Sequence, residues 1–139
     1  MPTAPRSGAA ELPVRPGEDP WTDKEVTDVR SELETEAAGL REEIAAAQAQ
    51  TAERLGYAVQ DAGDDEADAG TKVYEREQEL ALTQRARDLL DQTERALARI
   101  DAGTYGVCES CGKPIGKARL QAYPRAVLCV ECKQREERR

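Results

Sequence analysis

The chain has 139 residues, of which 35% are charged and 4% aromatic, with no phenylalanine and one tryptophan. It carries a net charge of −8 and is rich in the residues of long helices, so a large globular core is not expected. Residues 1–103 contain 24 acidic and 12 basic side chains, whereas residues 104–139 contain 4 acidic and 8 basic ones. An acidic body with a mildly basic end argues against a general DNA-binding protein, whose contact face is broadly basic.

The first 20 residues hold five of the seven prolines and few large apolar side chains. This composition predicts a disordered tail over residues 1–20. No apolar targeting segment follows the first residue, and no stretch approaches the length of a membrane span. We therefore expect a cytoplasmic protein with no membrane association.

A first helix is predicted to begin after Thr22. This residue can cap the helix and Glu25 completes a capping box, while Trp21 and Val26 occupy the positions of a hydrophobic staple. Apolar residues then recur at steps of three and four, which indicates one narrow seam of the kind found in coiled coils. The seam consists of Val26, Val29, Leu33, Ala37, Leu40, Ile44, Ala47, Thr51 and Leu55.

A second helix is predicted to end near Gly103, because glycine commonly terminates helices. Its seam consists of Leu82, Ala86, Leu89, Thr93, Ala96 and Ile100, widened by Leu80, Leu90 and Leu97. Periodicity fails between Tyr57 and Gly70, so a short loop joins two seams of similar length. This favours an antiparallel helical hairpin over residues 21–103 in a monomer. A dimeric coiled coil is the alternative, because periodicity alone does not distinguish the two.

The loop at residues 61–70 forms the tip of the predicted hairpin and is acidic. It contains Asp61, Asp64, Asp65, Glu66 and Asp68. The ordinary interpretation is a solvated turn, since aspartate is common in turns and acidic side chains suit helix N-termini. Paired carboxylates also coordinate Mg²⁺ or act as general acid and base, but a hairpin tip offers no pocket. Any chemistry at the tip would depend on the surface into which it is inserted.

Residues 104–139 contain all four cysteines of the chain, in the pattern C-x2-C-x17-C-x2-C. They are Cys108, Cys111, Cys129 and Cys132. This spacing is typical of a tetrahedral zinc site with four thiolate ligands. Two disulfides are the alternative, but they are typical of oxidising compartments, which nothing in the sequence indicates. The pattern therefore predicts one structural Zn²⁺ ion with no open coordination position for water or substrate.

An enzyme is not expected from these residues. The chain has no histidine, no cysteine outside the cluster and no glycine-rich phosphate-binding loop. The predicted fold is dominated by α-helix. A long antiparallel coiled-coil hairpin precedes a small four-cysteine zinc finger, and a short helix ends the chain.

Three stretches in and around the cysteines resemble the DksA/TraR family of zinc-finger transcription factors. They are Gly103–Gly116, Ala118–Pro124 and Leu128–Lys133. A hairpin with an acidic tip precedes the finger in longer members of that family, so the resemblance covers residues 22–135. It implies binding to RNA polymerase, with the coiled coil entering the secondary channel, through which nucleotides reach the active site.

Aspartates at the tip modulate open-complex stability and initiation in that family. The family motif Asp-x-x-Asp-x-Ala is matched by Asp65 and Asp68, whereas Gly70 stands at the alanine position. The resemblance thus implies a regulator of transcription initiation whose Asp65, Asp68 and Gly70 face the polymerase active site. Glycine loses the methyl contact and loosens the tip, so we expect channel binding to be retained more fully than regulatory activity.

Several members of the family act together with the alarmone ppGpp. The corresponding contact positions are Leu89, Gln92, Tyr123 and Lys133, of which Leu89 and Lys133 keep the expected residue type. Gln92 and Tyr123 stand where cations would meet phosphate, so two charge-assisted contacts are missing. This argues against synergy with ppGpp.

The basic residues of the finger are candidates for docking on an acidic surface of the polymerase. They are Lys113, Lys117, Arg119, Arg125 and Lys133. An ordinary solvated surface explains any one of them equally well. Two other functions stay open: a coiled-coil zinc-finger adaptor or dimer acting with another protein, and a zinc ribbon that binds nucleic acid directly. Sequence-specific DNA binding is not expected.

Overall fold

The structure, a computed structural model, describes residues 8–60 and 66–138, with side chains described outside 54–69. In this part of the chain, four α-helices and a 3-10 turn at Ala9–Glu11 form the secondary structure. Val107 and Pro114 add an antiparallel bridge. The helices are α1 (Asp23–Gln60), α2 (Glu66–Ala102), α3 (Lys117–Ala122) and α4 (Val130–Glu137). The fold is therefore dominated by helix, as the sequence predicts.

The start of α1 has the predicted capping box. The N–H of Glu25 donates to Thr22 Oγ1 at 3.1 Å, and the N–H of Thr22 donates to Glu25 Oε1 at 2.9 Å. Trp21 is 2% exposed, and Val26 packs against the same apolar cluster. These contacts satisfy backbone donors that the first turn of a helix leaves unpaired.

The end of α2 lies at Gly103, also as predicted. Gly103 has a φ of 77°, in the left-handed region that glycine adopts without steric cost. Its N–H donates to the Ile100 carbonyl at 3.2 Å, and the N–H of Thr104 donates to the Arg99 carbonyl at 2.9 Å. This pair of bonds is a Schellman motif, which satisfies carbonyls at the helix end.

The chain forms two compact units, each of which contains part of α1 and part of α2. One unit comprises the described residues up to Glu36 together with those from Gln92 onward, and the other comprises Ala37–Asp91. In the first unit, Arg30 of α1 forms a 2.6 Å ion pair with Asp101 of α2. In the second, residues 43–50 line a groove with residues 79–86. Within each unit α1 therefore packs against α2, as the predicted helical hairpin requires.

Eight of the predicted seam residues are buried, whereas the exposure of two positions in α2 contradicts the prediction, and the side chain of Leu55 lies outside the described residues. Leu80 is 58% exposed and Leu82 is 65% exposed, whereas Thr83 is half-buried. At this level α1 presents Ala46 and Ala47, whose short side chains leave a groove beside Leu82. The buried seam residues are Val29, Leu33, Ala37 and Leu40 in α1, and Ala86, Thr93, Ala96 and Ile100 in α2.

Helix extends into both ends of the region between Tyr57 and Gly70, where the sequence predicts a loop. α1 continues to Gln60 and α2 begins at Glu66, because alanine, glutamate and glutamine favour helix and acidic residues suit a helix start. Three predicted tip residues lie outside the described residues: Asp61, Asp64 and Asp65. The backbone of Asp68 is helical and its side chain is not described, while Gly70 is exposed within α2.

The prediction of a disordered tail over residues 1–20 is wrong for residues 8–20. This segment, here called the N-terminal strap, packs against the finger with Ala9 and Leu12 buried in the apolar cluster. Proline-rich composition predicted disorder, yet the strap lies on a surface that the folded finger supplies, which composition alone does not reveal. The compact units divide between Glu36 and Ala37 and between Asp91 and Gln92, whereas the sequence analysis divides the chain at residues 20 and 103.

The main core of the first unit joins the strap, both long helices and the finger. The cluster includes Trp21, Leu33, Ile100, Tyr105 and Leu120. Tyr105 also donates its hydroxyl to the Pro124 carbonyl at 2.9 Å. Among the described helices, none combines the length and apolar character needed to cross a membrane.

Candidate metal centre

The four cysteines lie on two backbone turns of the finger. In the first, the N–H of Cys108 donates to the Lys113 carbonyl at 2.8 Å, which folds the chain back beyond Cys111. In the second, Cys129 precedes α4 and Cys132 lies in its first turn, so the start of a helix fixes their spacing. The long connection between the turns contains α3, which returns the chain to the first pair.

The cysteine geometry fits a tetrahedral metal ion. All four Sγ atoms lie within 4.8 Å of one another, and Cys111 Sγ is 3.9 Å from Cys129 Sγ. Zinc–sulfur bonds of about 2.3 Å would place the sulfurs of a regular tetrahedron about 3.8 Å apart. The thiols are free rather than bonded in disulfides, and only Cys111 of the four is exposed. These positions suit one closed structural site.

Two of the four thiols, those of Cys108 and Cys129, have pKa values shifted from that of a free cysteine. Burial opposes ionisation of Cys108, but hydrogen bonds from the backbone of Cys111, Cys129 and Ser110 outweigh it and lower its pKa to about 6. Burial raises the pKa of Cys129 to about 12. Four thiolates this close require a cation to offset their charge, and Zn²⁺ supplies two positive charges.

Two arginines lie around the cluster. Arg135 Nη2 is 3.6 Å from Cys132 Sγ. Arg15 of the strap forms an ion pair at 3.2 Å with Glu131, one of the two residues between the second pair of cysteines. The hydrogen bond with Glu131, then the charges of Glu131 and Cys129, raise the pKa of Arg15. Both cations would offset the net charge of −2 that four thiolates and one Zn²⁺ carry.

The predicted docking residues have different surroundings in the structure. Lys117 lies under the strap, where its Nζ is 2.7 Å from Glu25 and its side chain is 13% exposed. Arg125 pairs with Glu36, and Arg119 donates to the Leu128 carbonyl at 3.0 Å. The remaining two, Lys113 and Lys133, are exposed. Three of the five predicted docking residues therefore contact other parts of the first unit, and the other two are exposed.

Three of the four predicted ppGpp positions line a broad groove of the first unit. Gln92, Tyr123 and Lys133 line this groove together with Arg95 and Arg119. Leu89 belongs to the second unit and is half-buried. The groove also contains five glutamates, so its lining carries both signs of charge. The glutamates are Glu32, Glu36, Glu109, Glu136 and Glu137.

Sequence reasoning missed the residues by which the strap joins the finger. Arg15 lies 116 positions from Glu131, and Glu18 lies 99 positions from Lys117, so no periodicity or spacing in the sequence links these partners. The cysteine spacing indicated the zinc ligands because ligand pairs are local, whereas the strap contacts are specified only by the folded surface.

Comparison with known protein families identifies the finger independently of its geometry. Residues 103–138 match the family model described as the prokaryotic dksA/traR C4-type zinc finger. The RNA polymerase-binding transcription factor DksA of Escherichia coli is 31% identical over 130 residues, which cover 91% of this chain and 81% of that protein. The chain belongs to the DksA/TraR family. Its four cysteines therefore hold a single structural zinc ion.

Further relatives agree with the family assignment. The protein of the same name from Caulobacter vibrioides is 44% identical over 75 residues, which span 54% of this chain and about half, 53%, of that relative. The solved structure of the transcription factor DksA2 from Pseudomonas aeruginosa matches with a TM-score of 0.67 and 31% identity. That match covers 84% of this chain and 85% of the other. The DksA/TraR fold thus extends over the helices as well as the finger.

Proposed function

We propose that this protein is a transcription regulator that binds RNA polymerase and inserts its acidic hairpin tip into the secondary channel to modulate initiation. The observation that carries this proposal is the similarity to DksA proteins across helices and finger together. The similarity to the Escherichia coli relative, named as RNA polymerase-binding, extends over 81% of that protein. A match confined to the finger would support only a shared zinc module.

Exposed apolar residues on α2 support a protein partner rather than nucleic acid. Val73, Tyr74, Leu80 and Leu82 are all more than half exposed. Apolar side chains at the surface commonly mark protein interaction sites, whereas nucleic-acid interfaces are rich in cations. The excess of acidic side chains in residues 1–103 also argues against nucleic acid as the partner.

The tip is proposed to act through its carboxylates. Asp65 and Asp68 match the aspartates of the family motif, and carboxylate oxygens are the ligands that Mg²⁺ prefers. A tip near the polymerase active site would change the electrostatic field around its catalytic metal and nucleotides. The protein itself is proposed to have no enzymatic activity, because four thiolates leave zinc no open coordination position.

Docking is proposed to use Lys113 and Lys133, the two candidate cations that face outward. Lys117, Arg119 and Arg125 hold parts of the first unit together, so their replacement would alter folding as well as binding. Lys113→Ala and Lys133→Ala should each weaken polymerase binding, most clearly at low salt. Lys24→Ala is the matched control, since Lys24 is an exposed lysine of α1 whose ion-pair partner is Asp28.

The experiment that tests the proposed function measures binding of zinc-loaded protein to purified core RNA polymerase without DNA. Binding independent of DNA is expected. Failure to bind would overturn the proposal, and a dimer detected by light scattering in the same preparation would favour the adaptor alternative. Salt-dependent binding to DNA alone would instead favour the nucleic-acid alternative.

Regulation is tested by replacing the tip charge without changing its shape. Asp68→Asn should preserve polymerase binding and weaken the effect on initiation in a reconstituted transcription assay. Glu77→Gln, which removes an exposed carboxylate from α2 beyond the tip, is the control. Unchanged regulation by Asp68→Asn would contradict the role of the tip.

The glycine at the alanine position of the motif offers a second test. A Cβ atom placed on Gly70 would meet no atom within 4 Å, so alanine fits there. Gly70→Ala should stabilise the start of α2 by about 1 kcal/mol and increase the regulatory effect. Added ppGpp should leave the activity of the wild-type protein unchanged, because Gln92 and Tyr123 lack the positive charge that phosphate requires.

A further inference from the structure

The N-terminal strap is bound to the finger by apolar and polar contacts along its whole length. Ala9 and Leu12 are buried in the core, and Val14 packs against it. At the other end of the strap, Asp19 and Pro20 present their carbonyls to Lys117 Nζ at 3.5 and 3.3 Å. The strap therefore spans from the apolar core to the basic side of the finger.

Glu18 forms the central polar contact of the strap. Its carboxylate accepts the N–H groups of Lys117 at 2.9 Å and Ala118 at 3.1 Å, and also the N–H of Arg15 at 2.7 Å. Burial alone would raise the pKa of Glu18, but these three amides outweigh it and lower the pKa. The strap thus supplies a charged acceptor to backbone donors of the finger.

Gly116 marks the place where the strap crosses the finger most closely. Its φ is 113°, and a Cβ atom there would lie 3.0 Å from Arg15 Cδ. This approach brings the Arg15 guanidinium to Glu131, with contacts of 3.2 and 3.4 Å from Nη2. Glu131 is one of the two residues between Cys129 and Cys132, so the strap contacts the segment that joins two zinc ligands.

We propose that the N-terminal strap is an outer part of the zinc site, with Arg15 as a positioning residue that holds the second pair of cysteines through Glu131. The ion pair limits movement of the segment that carries Cys129 and Cys132. Because coupling between binding events is reciprocal, zinc and the docked strap should stabilise one another by the same factor. This inference does not depend on polymerase binding.

The test is the rate at which a chelating dye removes zinc from the full-length protein. Arg15→Ala should release zinc about two- to fivefold faster than wild type, the range expected for a partly exposed ion pair. Leu12→Ala should also accelerate release, since it loosens the strap at its apolar end. Lys24→Ala is the control for loss of a cation and should leave the rate unchanged.

Circular dichroism of each zinc-loaded variant checks that the helices are intact. Hydrogen exchange of residues 9–20 then reports the strap directly, and it should be faster in the zinc-loaded Arg15→Ala protein than in Lys24→Ala. Release rates equal to the control in both strap variants would overturn the proposal. The proposal would also be overturned if Arg15→Ala accelerated zinc release and Leu12→Ala did not, because the loss of one nearby charge would then explain the result without a docked strap.

A double-mutant comparison tests the route through Glu131. If Arg15 acts through this residue, Arg15→Ala combined with Glu131→Ala should release zinc no faster than the faster single variant. Effects that multiply would show that the two side chains act separately, which contradicts the assigned role of Arg15.

Discussion

Replacement of one zinc ligand should unfold the finger while leaving much of the helical hairpin. Cys111→Ser removes the exposed ligand, and the coupled binding free energy of such sites is on the order of 10–16 kcal/mol in model peptides. Whole domains are stable by only about 5–15 kcal/mol, so we expect the finger to unfold. The second unit has its own buried residues, Ala37, Leu40 and Ala86, and should remain helical.

The size of the change follows from the helix lengths. α3 and α4 have 6 and 8 residues, against 38 in α1 and 37 in α2. Loss of the finger helices alone removes about a sixth of the far-UV helical signal, and melting of the first-unit parts of α1 and α2 brings the loss to just under half.

Tryptophan fluorescence gives a second readout in the same sample. Trp21 is the one tryptophan of the chain, and its ring lies 6.1 Å from that of Tyr105. Its emission should shift to longer wavelength in Cys111→Ser. Ser110→Ala alters the same turn without removing a ligand and should change neither signal. Loss of most of the helical signal would contradict independent stability of the second unit, and an unchanged Trp21 emission would contradict unfolding of the finger.

Three further substitutions test contacts of the first unit, and a fourth, in the second unit, serves as a control. Tyr105→Phe should cost about 1–3 kcal/mol, because it leaves the Pro124 carbonyl unpaired. Burial raises the pKa of Tyr105, so the contribution of its hydroxyl to folding stability is present below about pH 10 and is lost as pH rises above that. The difference in denaturation midpoint between wild type and Tyr105→Phe should therefore be smaller at pH 11 than at pH 8. Equal differences at the two pH values would contradict this. Lys117 and Thr22 lower the pKa of Glu25 from 4.5 to about 2, so the contribution of its carboxylate to folding stability is present above pH 4.5 and is lost as pH falls towards 2. Glu25→Gln should therefore have a lower denaturation midpoint than wild type at pH 7, and this difference should disappear on acidification. A difference that stays constant with pH would count against the contact. Gly116→Ala places a side chain at positive φ beside Arg15 and should cost about 1–2 kcal/mol, while Gly70→Ala, with open space around it, should not lower the melting temperature.

Local patterns predicted much of the helical structure. The Thr22 capping box and the Gly103 terminator depend on neighbouring residues, so the sequence contains the whole signal. The cysteine spacing predicted the metal centre for the same reason. Leu82 shows the limit of periodicity, because its exposure depends on the short side chains that α1 presents opposite.

Contacts between distant segments were not predictable from these patterns. Glu18 and Lys117 are joined across 99 positions, and Arg15 and Glu131 across 116. The strap has no periodic apolar pattern of its own. It is ordered by burial of Leu12 and by backbone donors on the finger, which exist only when the finger is folded. Composition therefore predicted disorder where the structure has a docked segment.

We propose that the hairpin tip enters the polymerase secondary channel. The most direct measurement places a photo-crosslinking residue at Ala69, beside Asp68, in zinc-loaded protein bound to core RNA polymerase. We expect crosslinks to polymerase segments that surround the active site, and none there from a control crosslinker at Glu34 of α1. Tight binding with no crosslink from Ala69 near the active site would contradict insertion of the tip.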